Sequence, residues 1–351
     1  MAMLADLADA VIGVDTHTDT HTACLLDRLG RQLAVITIAA DPAGCRALMA
    51  WADENAPGTR LAWAIEGARS HGLGLTRHLL QHGQMVIEAG RPARASKRPG
   101  GKSDPADAAR AARDALAASR LAQPRCDGPR EALRILLTAR AQATTARTAA
   151  VNTFKALILG APDNLRQQLR GLSTPRQASR CRTLRACGSQ PVAEQVLRAE
   201  LRRLAAHIKG WDRELRANKR QLRQLVEQVM PALLEQPGVG PMSAAQLLVS
   251  WSHPGRCRSE AAFAALAGVS PLQASSGRIT RHRLNHFGDR QLNRALHVII
   301  NWRMLHDQRT HAYLTRRAAE KTGPELRRCL KRYAARQLFR LMEAQPPLDN
   351  S

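Results

Sequence analysis

Apolar positions in the first 125 residues fall into short β-branched runs separated by polar punctuation, with stretches at helical spacing between them. Val11-Ile12-Gly13-Val14 reads as a buried strand that ends on Asp15. Thr20 to Leu26 and Gln32 to Ile38 have the same texture, and Asp27-Arg28-Leu29-Gly30 between them has turn chemistry. Pro42 to Asn55 predicts a helix that starts at a proline and carries Leu48, Met49 and Trp51. Leu61-Ala62-Trp63-Ala64-Ile65 then predicts a strand ending on Glu66-Gly67, His71 to His82 a helix, and Met85-Val86-Ile87 a further strand. A basic loop, Arg91 to Gly101, leads into an alanine-rich helix from Pro105 to Leu121.

The order βββαβαβα, antiparallel strands first and parallel strands after, is that of an α/β RNase-H-like domain, expected here over residues 8–125. Beyond it the pattern is helical. Pro129 to Ile158 carries Leu133, Leu136, Leu137, Ala141 and Thr144 at helix spacing, and Pro162 breaks it. Val192 to Val229 carries a stripe of Leu197, Leu201, Leu204, Ile208, Trp211, Leu215, Leu222 and Leu225 under many arginines. A self-associating coiled coil or an intramolecular helical hairpin would cover that stripe equally well. Between the two helices, Arg166 to Gly188 reads as an irregular basic loop facing nucleic acid. Residues 126–232 therefore form a helical, coiled-coil and oligomerisation region, and residues 233–345 a mainly α-helical C-terminal domain. That domain opens on Pro237-Gly238-Val239-Gly240, a helix-hairpin-helix-like turn whose amides after Gly238 and Gly240 can hold a phosphate. Ser259 caps a short helix, and Asp289 to Arg303 and Pro324 to Met342 are amphipathic helices with basic faces.

Charge sharpens this picture. Lys+Arg 53 against Asp+Glu 29 gives +24 and a pI near 11.3, with arginine in the majority. Arginine suits bidentate phosphate contact, and such an excess calls for a polyanionic partner, DNA or RNA. Seven cysteines without a C-x-x-C pair imply neither a thiolate metal site nor a disulfide framework. The N-terminus lacks a signal-peptide pattern, and no apolar run is long enough to span a bilayer, so a cytoplasmic protein with no membrane partner is expected.

Four acids are the first chemical candidates. Asp15 and Glu66 stand at two strand ends, each expected to be exposed at the sheet rim. Lys102-Ser103-Asp104-Pro105-Ala106-Asp107 places Asp104 as the helix N-cap and Asp107 three residues later, on the same side of the helix start. D-P-x-D is also an ordinary helix-start signature, in which the acids only complement the helix dipole. Together, however, four carboxylates at one sheet rim repel unless cations lie between them, and Mg2+ favours such oxygen ligands and bridges to phosphate. The second centre is Ser275-Ser276-Gly277-Arg278-Ile279-Thr280-Arg281-His282-Arg283. A serine hydroxyl there could act as a nucleophile on a phosphate held by Arg278, Arg281 and Arg283, or the loop could simply grip phosphate.

In order, VIGVDTH, Glu66-Gly67, GKSDPADA, PGVGP, SEAAFAALAGVSP and ASSGRITRHR resemble the DEDD transposases of insertion sequences, relatives of Piv-type DNA invertases. The resemblance covers nearly the whole chain. It implies site-specific DNA recombination, with Asp15, Glu66, Asp104 and Asp107 as an Mg2+-binding tetrad and a serine preceding a glycine, Ser276, as nucleophile, with Ser275 beside it. Lys102, Arg278, Arg281, Arg283, Gly238 and Gly240 are the expected nucleic-acid contacts. The resemblance further implies donor and target DNA, a guide RNA from the element's non-coding end, and a homo-oligomer, dimer to tetramer. The competing readings are a metal-dependent, junction-resolving endonuclease without a covalent serine intermediate, and a non-catalytic nucleic-acid-binding protein.

Overall fold

The computed structural model describes residues 3–90, 103–118, 121–125, 127–185, 188–273, 282–283, 285 and 287–344. The chain divides into two compact units, Met1–Arg125 and Cys126–Ser351.

The first unit is mixed α/β. Its elements run α1 (Leu4–Leu7), β1 (Ala10–Thr16), β2 (Thr20–Asp27), β3 (Gln32–Ala39), α2 (Pro42–Asn55), β4 (Leu61–Glu66), α3 (Leu73–Gln81), β5 (Met85–Ala89) and α4 (Asp104–Ala117). The five strands form one sheet in the order β3-β2-β1-β4-β5. β1 pairs antiparallel with β2 and β2 with β3, whereas β1 to β4 and β4 to β5 are parallel, which requires the crossovers that α2 and α3 supply. Both faces are covered, so the central strands are apolar on both sides. On one face Ile12, Val14, Ala23, Leu25, Trp63 and Ile65 pack with Leu48, Leu75 and Leu79 of α2 and α3. On the other, Val11, Cys24, Leu26, Ala62 and Ala64 meet Ala108, Ala109, Ala112 and Ala115 of α4. Alternation along β1 therefore puts Val11, Gly13 and Asp15 on the α4 face, and along β4 it puts Ala62, Ala64 and Glu66 there. The alanine face of α4 lets that helix lie close on the sheet.

The second unit is helical: α5 (Pro129–Leu159), α6 (Asp163–Leu169), α7 (Thr174–Cys181), α8 (Val192–Val229), α9 (Pro241–Trp251), α10 (Glu260–Leu266), the two-residue strands β6 (Leu272–Gln273) and β7 (His282–Arg283), then α11 (Arg290–His306), α12 (Gln308–Arg317) and α13 (Gly323–Glu343). α5 and α8 run antiparallel within the chain. Arg140 Nη1 donates to the Leu215 carbonyl at 2.9 Å, Asn218 Nδ2 to the Leu136 carbonyl at 2.9 Å, and Arg147 Nε to Asp212 Oδ1 at 2.6 Å. The stripe of α8 is divided between two cores. Leu201, Leu204 and Ile208 pack with Phe154 and Ile158 of α5, and Leu222 and Val226 pack with Leu133, Ala244, Leu248 and Trp251.

The stretch expected to be an irregular loop after Arg166 is instead largely helical. α6 and α7 bury Leu165, Leu169, Ala178 and Cys181 against α8, and Gln177 Nε2 donates to the Leu169 carbonyl at 2.9 Å to tie one to the other. Each helix has too few turns, and too few apolar residues among its polar ones, to show a period in the sequence. Among the described residues no helix is long and apolar enough to cross a membrane.

Candidate functional site

Three elements deliver the four acids to one edge of the first unit. β1 and β4 are parallel neighbours with Val14 opposite Ile65, so the next residue of each, Asp15 and Glu66, leaves the same end of the sheet. Thr16 Oγ1 donates to the Glu66 carbonyl at 2.8 Å and ties the two strand ends together. α4 brings Asp104 and Asp107 in its first turn.

The helix start differs from expectation by one residue. Ser103 is the N-cap, with extended backbone and no side-chain capping bond, and Asp104 is already helical. A residue inside the first turn turns its side chain outward instead of back over the amides. Neither acid caps the helix: Asp104 faces His17, and Asp107 pairs with Arg110.

Asp15 also departs from expectation, since it is buried at 7% exposure and not open at the rim. His17 and the start of α4 stand over it. His17 Nε2 lies 3.3 Å from Asp15 Oδ2 and 3.4 Å from Asp104 Oδ1. Neither approach has hydrogen-bond geometry, and among the described residues both Asp15 Oδ2 and His17 Nε2 are buried atoms without a hydrogen-bond partner. One donor atom each from Asp15, His17 and Asp104 lies within 4.8 Å of the others. A buried carboxylate oxygen without a partner is expensive unless a cation compensates it, so this donor set fits a divalent metal ion.

The other two acids are bridged by a protein cation. Arg110 Nη2 lies 3.1 Å from Glu66 Oε2, and its Nη1 pairs with Asp107 Oδ1. Burial pulls against this guanidinium, but the hydrogen bonds and charge of Asp107 and Glu66 hold its pKa above the ordinary value. The four carboxylates thus form two pairs, one across His17 and one across Arg110. Sequence reasoning identified neither residue. The available signals were local: His17 lies two residues past Asp15, and Arg110 is the i+3 neighbour of Asp107 on a helix. On the opposite sheet face His21, next to this edge, is buried and donates from Nδ1 to the Thr20 carbonyl at 3.0 Å, and burial pushes its pKa down.

In the second unit the serine stretch is bracketed by β6 and β7, which pair Leu272 with Arg283 and Gln273 with His282. Ser275, Ser276, Arg278, Arg281 and the Arg283 side chain lie outside the described residues, as does Lys102 in the first unit. The frame around the ladder is tightly tied. Asp289 caps α11 from Oδ1 and accepts from Ser250 Oγ through Oδ2 at 2.6 Å, its amide donates to the Leu266 carbonyl at 2.7 Å, and Asn293 Nδ2 donates to the Ala267 carbonyl at 2.8 Å.

Comparison with known families decides what this assembly belongs to. Residues 12–161 match a family model described as a transposase, the DEDD type of IS110, and residues 230–315 match the transposase IS116/IS110/IS902 family. The chain belongs to this transposase family. The first match contains Asp15, Glu66, Asp104 and Asp107, and the second contains the Pro237–Gly240 turn and the serine stretch. Among curated proteins, none matches the transposase.

The glycine turn of the transposase has a packing role. Gly238 has φ +77°, and a Cβ there would sit 2.8 Å from the Ile299 carbonyl oxygen and 3.1 Å from the Trp302 ring on α11. Gly240 is the N-cap of α9 and, among the described residues, has nothing within 4 Å of a Cβ. Gly238→Ala is therefore expected to destabilise the second unit by about 1–3 kcal/mol in urea unfolding, and Gly240→Ala by less. A loss of DNA affinity in Gly240→Ala would then report on ligand contact and not on folding.

Proposed function

We propose that this transposase is an insertion-sequence DNA recombinase that cuts and rejoins DNA through a composite site: the tetrad Asp15, Glu66, Asp104 and Asp107, and the nucleophile Ser276. The observation that carries this reading is the buried Asp15 oxygen, without a hydrogen-bond partner among the described residues, where the strand ends and the start of α4 converge. The strand order and the crossovers of the first unit support an RNase-H-like (RuvC-like) assignment. Asp15 and Asp104, with His17 beside them, would hold a divalent ion, for which Mg2+ is the choice that best suits carboxylates and phosphates. Such an ion, when bound, supplies charge neutralisation and Lewis-acid polarisation at the scissile phosphate.

In this reading the Ser276 oxygen forms a bond to phosphorus while one phosphorus–oxygen bond to deoxyribose breaks, and the serine proton ends on the released sugar oxygen. The phosphoserine link conserves the energy of the broken bond, and an incoming sugar hydroxyl reverses the step to rejoin strands. Arg278, Arg281, Arg283 and Lys102 grip phosphates, with the amides after Gly238 and Gly240 as further contacts. The +24 charge supports donor and target DNA together with an element-encoded guide RNA as partners. The working form would be a homo-oligomer, dimer to tetramer, with residues 126–232 as the helical region that links the tetrad domain to the serine domain.

A denaturing gel tests this. Junction DNA, flanking non-coding RNA and Mg2+ are expected to give a covalent protein–DNA adduct with wild type and with Ser275→Ala, and none with Ser276→Ala or Asp15→Ala. Cleavage without an adduct, insensitive to Ser276→Ala, would overturn the serine step and leave a metal-only endonuclease of the junction-resolving kind.

A further inference from the structure

The helical unit carries a basic cleft. α11, α12 and α13 and the turn before α9 enclose an open cleft of about 830 Å³, inside the range of roughly 300–1,000 Å³ usual for small-ligand clefts. Arg303, Arg309, Arg336 and Arg340 line it, and among the described residues Asp307 is the one carboxylate in its lining. That carboxylate is engaged at the start of α12, accepting from the Thr310 amide at 2.9 Å and from its hydroxyl at 2.5 Å. Glu260 lies 2.8 Å from Arg336 Nε and 3.2 Å from Arg340 Nη2, and so holds both guanidiniums on one side of α13.

Arg303 is the telling residue. It is 9% exposed, and its hydrogen bonds go to neutral oxygens, the Pro237 carbonyl at 2.8 Å and Gln337 Oε1 at 2.9 Å. Among the described residues its Nη2 is buried without an acceptor. Burial pushes the guanidinium's pKa down, opposed by the charge of Asp307. A buried cation in a low-dielectric wall focuses positive potential into the cleft, and an anion there would compensate it. Two tyrosines also line the cleft. Tyr313 and Tyr333, the chain's only two, meet edge to face with centroids 5.6 Å apart. Tyr333 is 48% exposed, so its ring is open to a ligand.

We propose that this cleft binds one or two nucleotides of a single-stranded nucleic acid, with a base against Tyr333 and phosphates against Arg309 and Arg340. Half-exposed aromatic surface beside clustered arginines is the chemistry that holds unpaired strands without reading their sequence. The site goes beyond the composite-site reading and needs neither the acids nor Ser276, so it is tested in EDTA, where failure of that chemistry has no effect.

The test uses fluorescence anisotropy of the full chain with fluorescein-labelled (dT)12 and (rU)12, and with 5-iodouracil versions for photocrosslinking. Tyr333→Leu is expected to weaken binding roughly tenfold, Tyr333→Phe to restore it to within about threefold, and Arg309→Ser/Arg340→Ser to weaken it and flatten its salt dependence. The crosslink should map to Tyr333. Preference for one oligomer names DNA or RNA as the strand, and equal binding assigns both. Wild-type affinity in Tyr333→Leu and in the double arginine variant would overturn the proposal. So would equal competition by a twelve-residue polyglutamate, which would make the cleft a site for acidic peptide. Arg309 is exposed and Arg340 is 70% exposed, so the double variant folds even where Tyr333→Leu does not.

Discussion

Asp15→Asn is expected to lower strand cleavage by roughly three orders of magnitude while leaving the fold as stable as wild type or slightly more stable. The two halves of that expectation have one cause. Asp15 places a buried oxygen, without a hydrogen-bond partner among the described residues, 3.3 Å from His17 Nε2, which lies 3.4 Å from an Asp104 oxygen. Without a cation, that arrangement is repulsive; at the half-exposed Asp104 solvent screening holds the repulsion to about 1 kcal/mol. Asparagine removes the charge, keeps the shape and adds two donors that Asp104 can accept. The melting temperature should therefore be unchanged or rise by about 2–4 °C, the usual relation where a site is strained for function. With divalent metal the comparison reverses. Binding to the native state stabilises the wild type by about 2.7 kcal/mol at a hundredfold excess over Kd, and the variant loses that increment. Thermal melts of both proteins, with and without Mg2+ or Mn2+, check the stability half, and gel cleavage of junction DNA checks the other. A variant that melts well below wild type in EDTA would show that Asp15 is structural.

How far the site was legible depended on whether each position obeyed a period. Asp15 and Glu66 stood out as candidates because a short continuous apolar run, read as a buried strand, ends on each, and Asp104 and Asp107 because Pro105 marks a helix start. The same local rules placed α2 at Pro42–Asn55 and α8 at Val192–Val229 with the observed bounds. His17 and Arg110 were not legible. Their roles come from what stands across from them, Asp104 at 3.4 Å and Glu66 at 3.1 Å, and those partners are far along the chain. The covered position of Asp15 escaped for the same reason, because burial at a strand end depends on which helix lands there. The α8 stripe shows the limit of pattern from another side. Its period was clear, yet only the antiparallel contacts of Arg140, Arg147 and Asn218 show that α5 covers it within the chain.

Gly13→Ala is expected to collapse the first unit, with a loss of about 3 kcal/mol or more and a melting temperature lower by roughly 10 °C. A Cβ on Gly13 would stand 1.9 Å from the Ala108 carbonyl oxygen and 2.7 Å from the Ala112 nitrogen. Both are main-chain atoms of α4, so no side-chain rotation relieves the clash and no substitution on the helix can compensate it. The helix must retreat from the sheet by more than about 1 Å, which opens the seam that Ala108 and Ala112 fill against Val11, Cys24 and Ala64. Its first turn carries Asp104 and Asp107, so any Gly13→Ala protein that still folds should have lost the metal-dependent rise in melting temperature. Gly74→Ala in α3 is the matched control, since nothing lies within 4 Å of its Cβ, and alanine in a helix should stabilise it slightly. If Gly13→Ala unfolds at the wild-type urea midpoint, α4 does not sit on β1 as closely as the strand's glycine allows, and the convergence of the four acids would need another cause. The glycine two residues before Asp15 thus links the packing of a helix on a strand to the spacing of the tetrad.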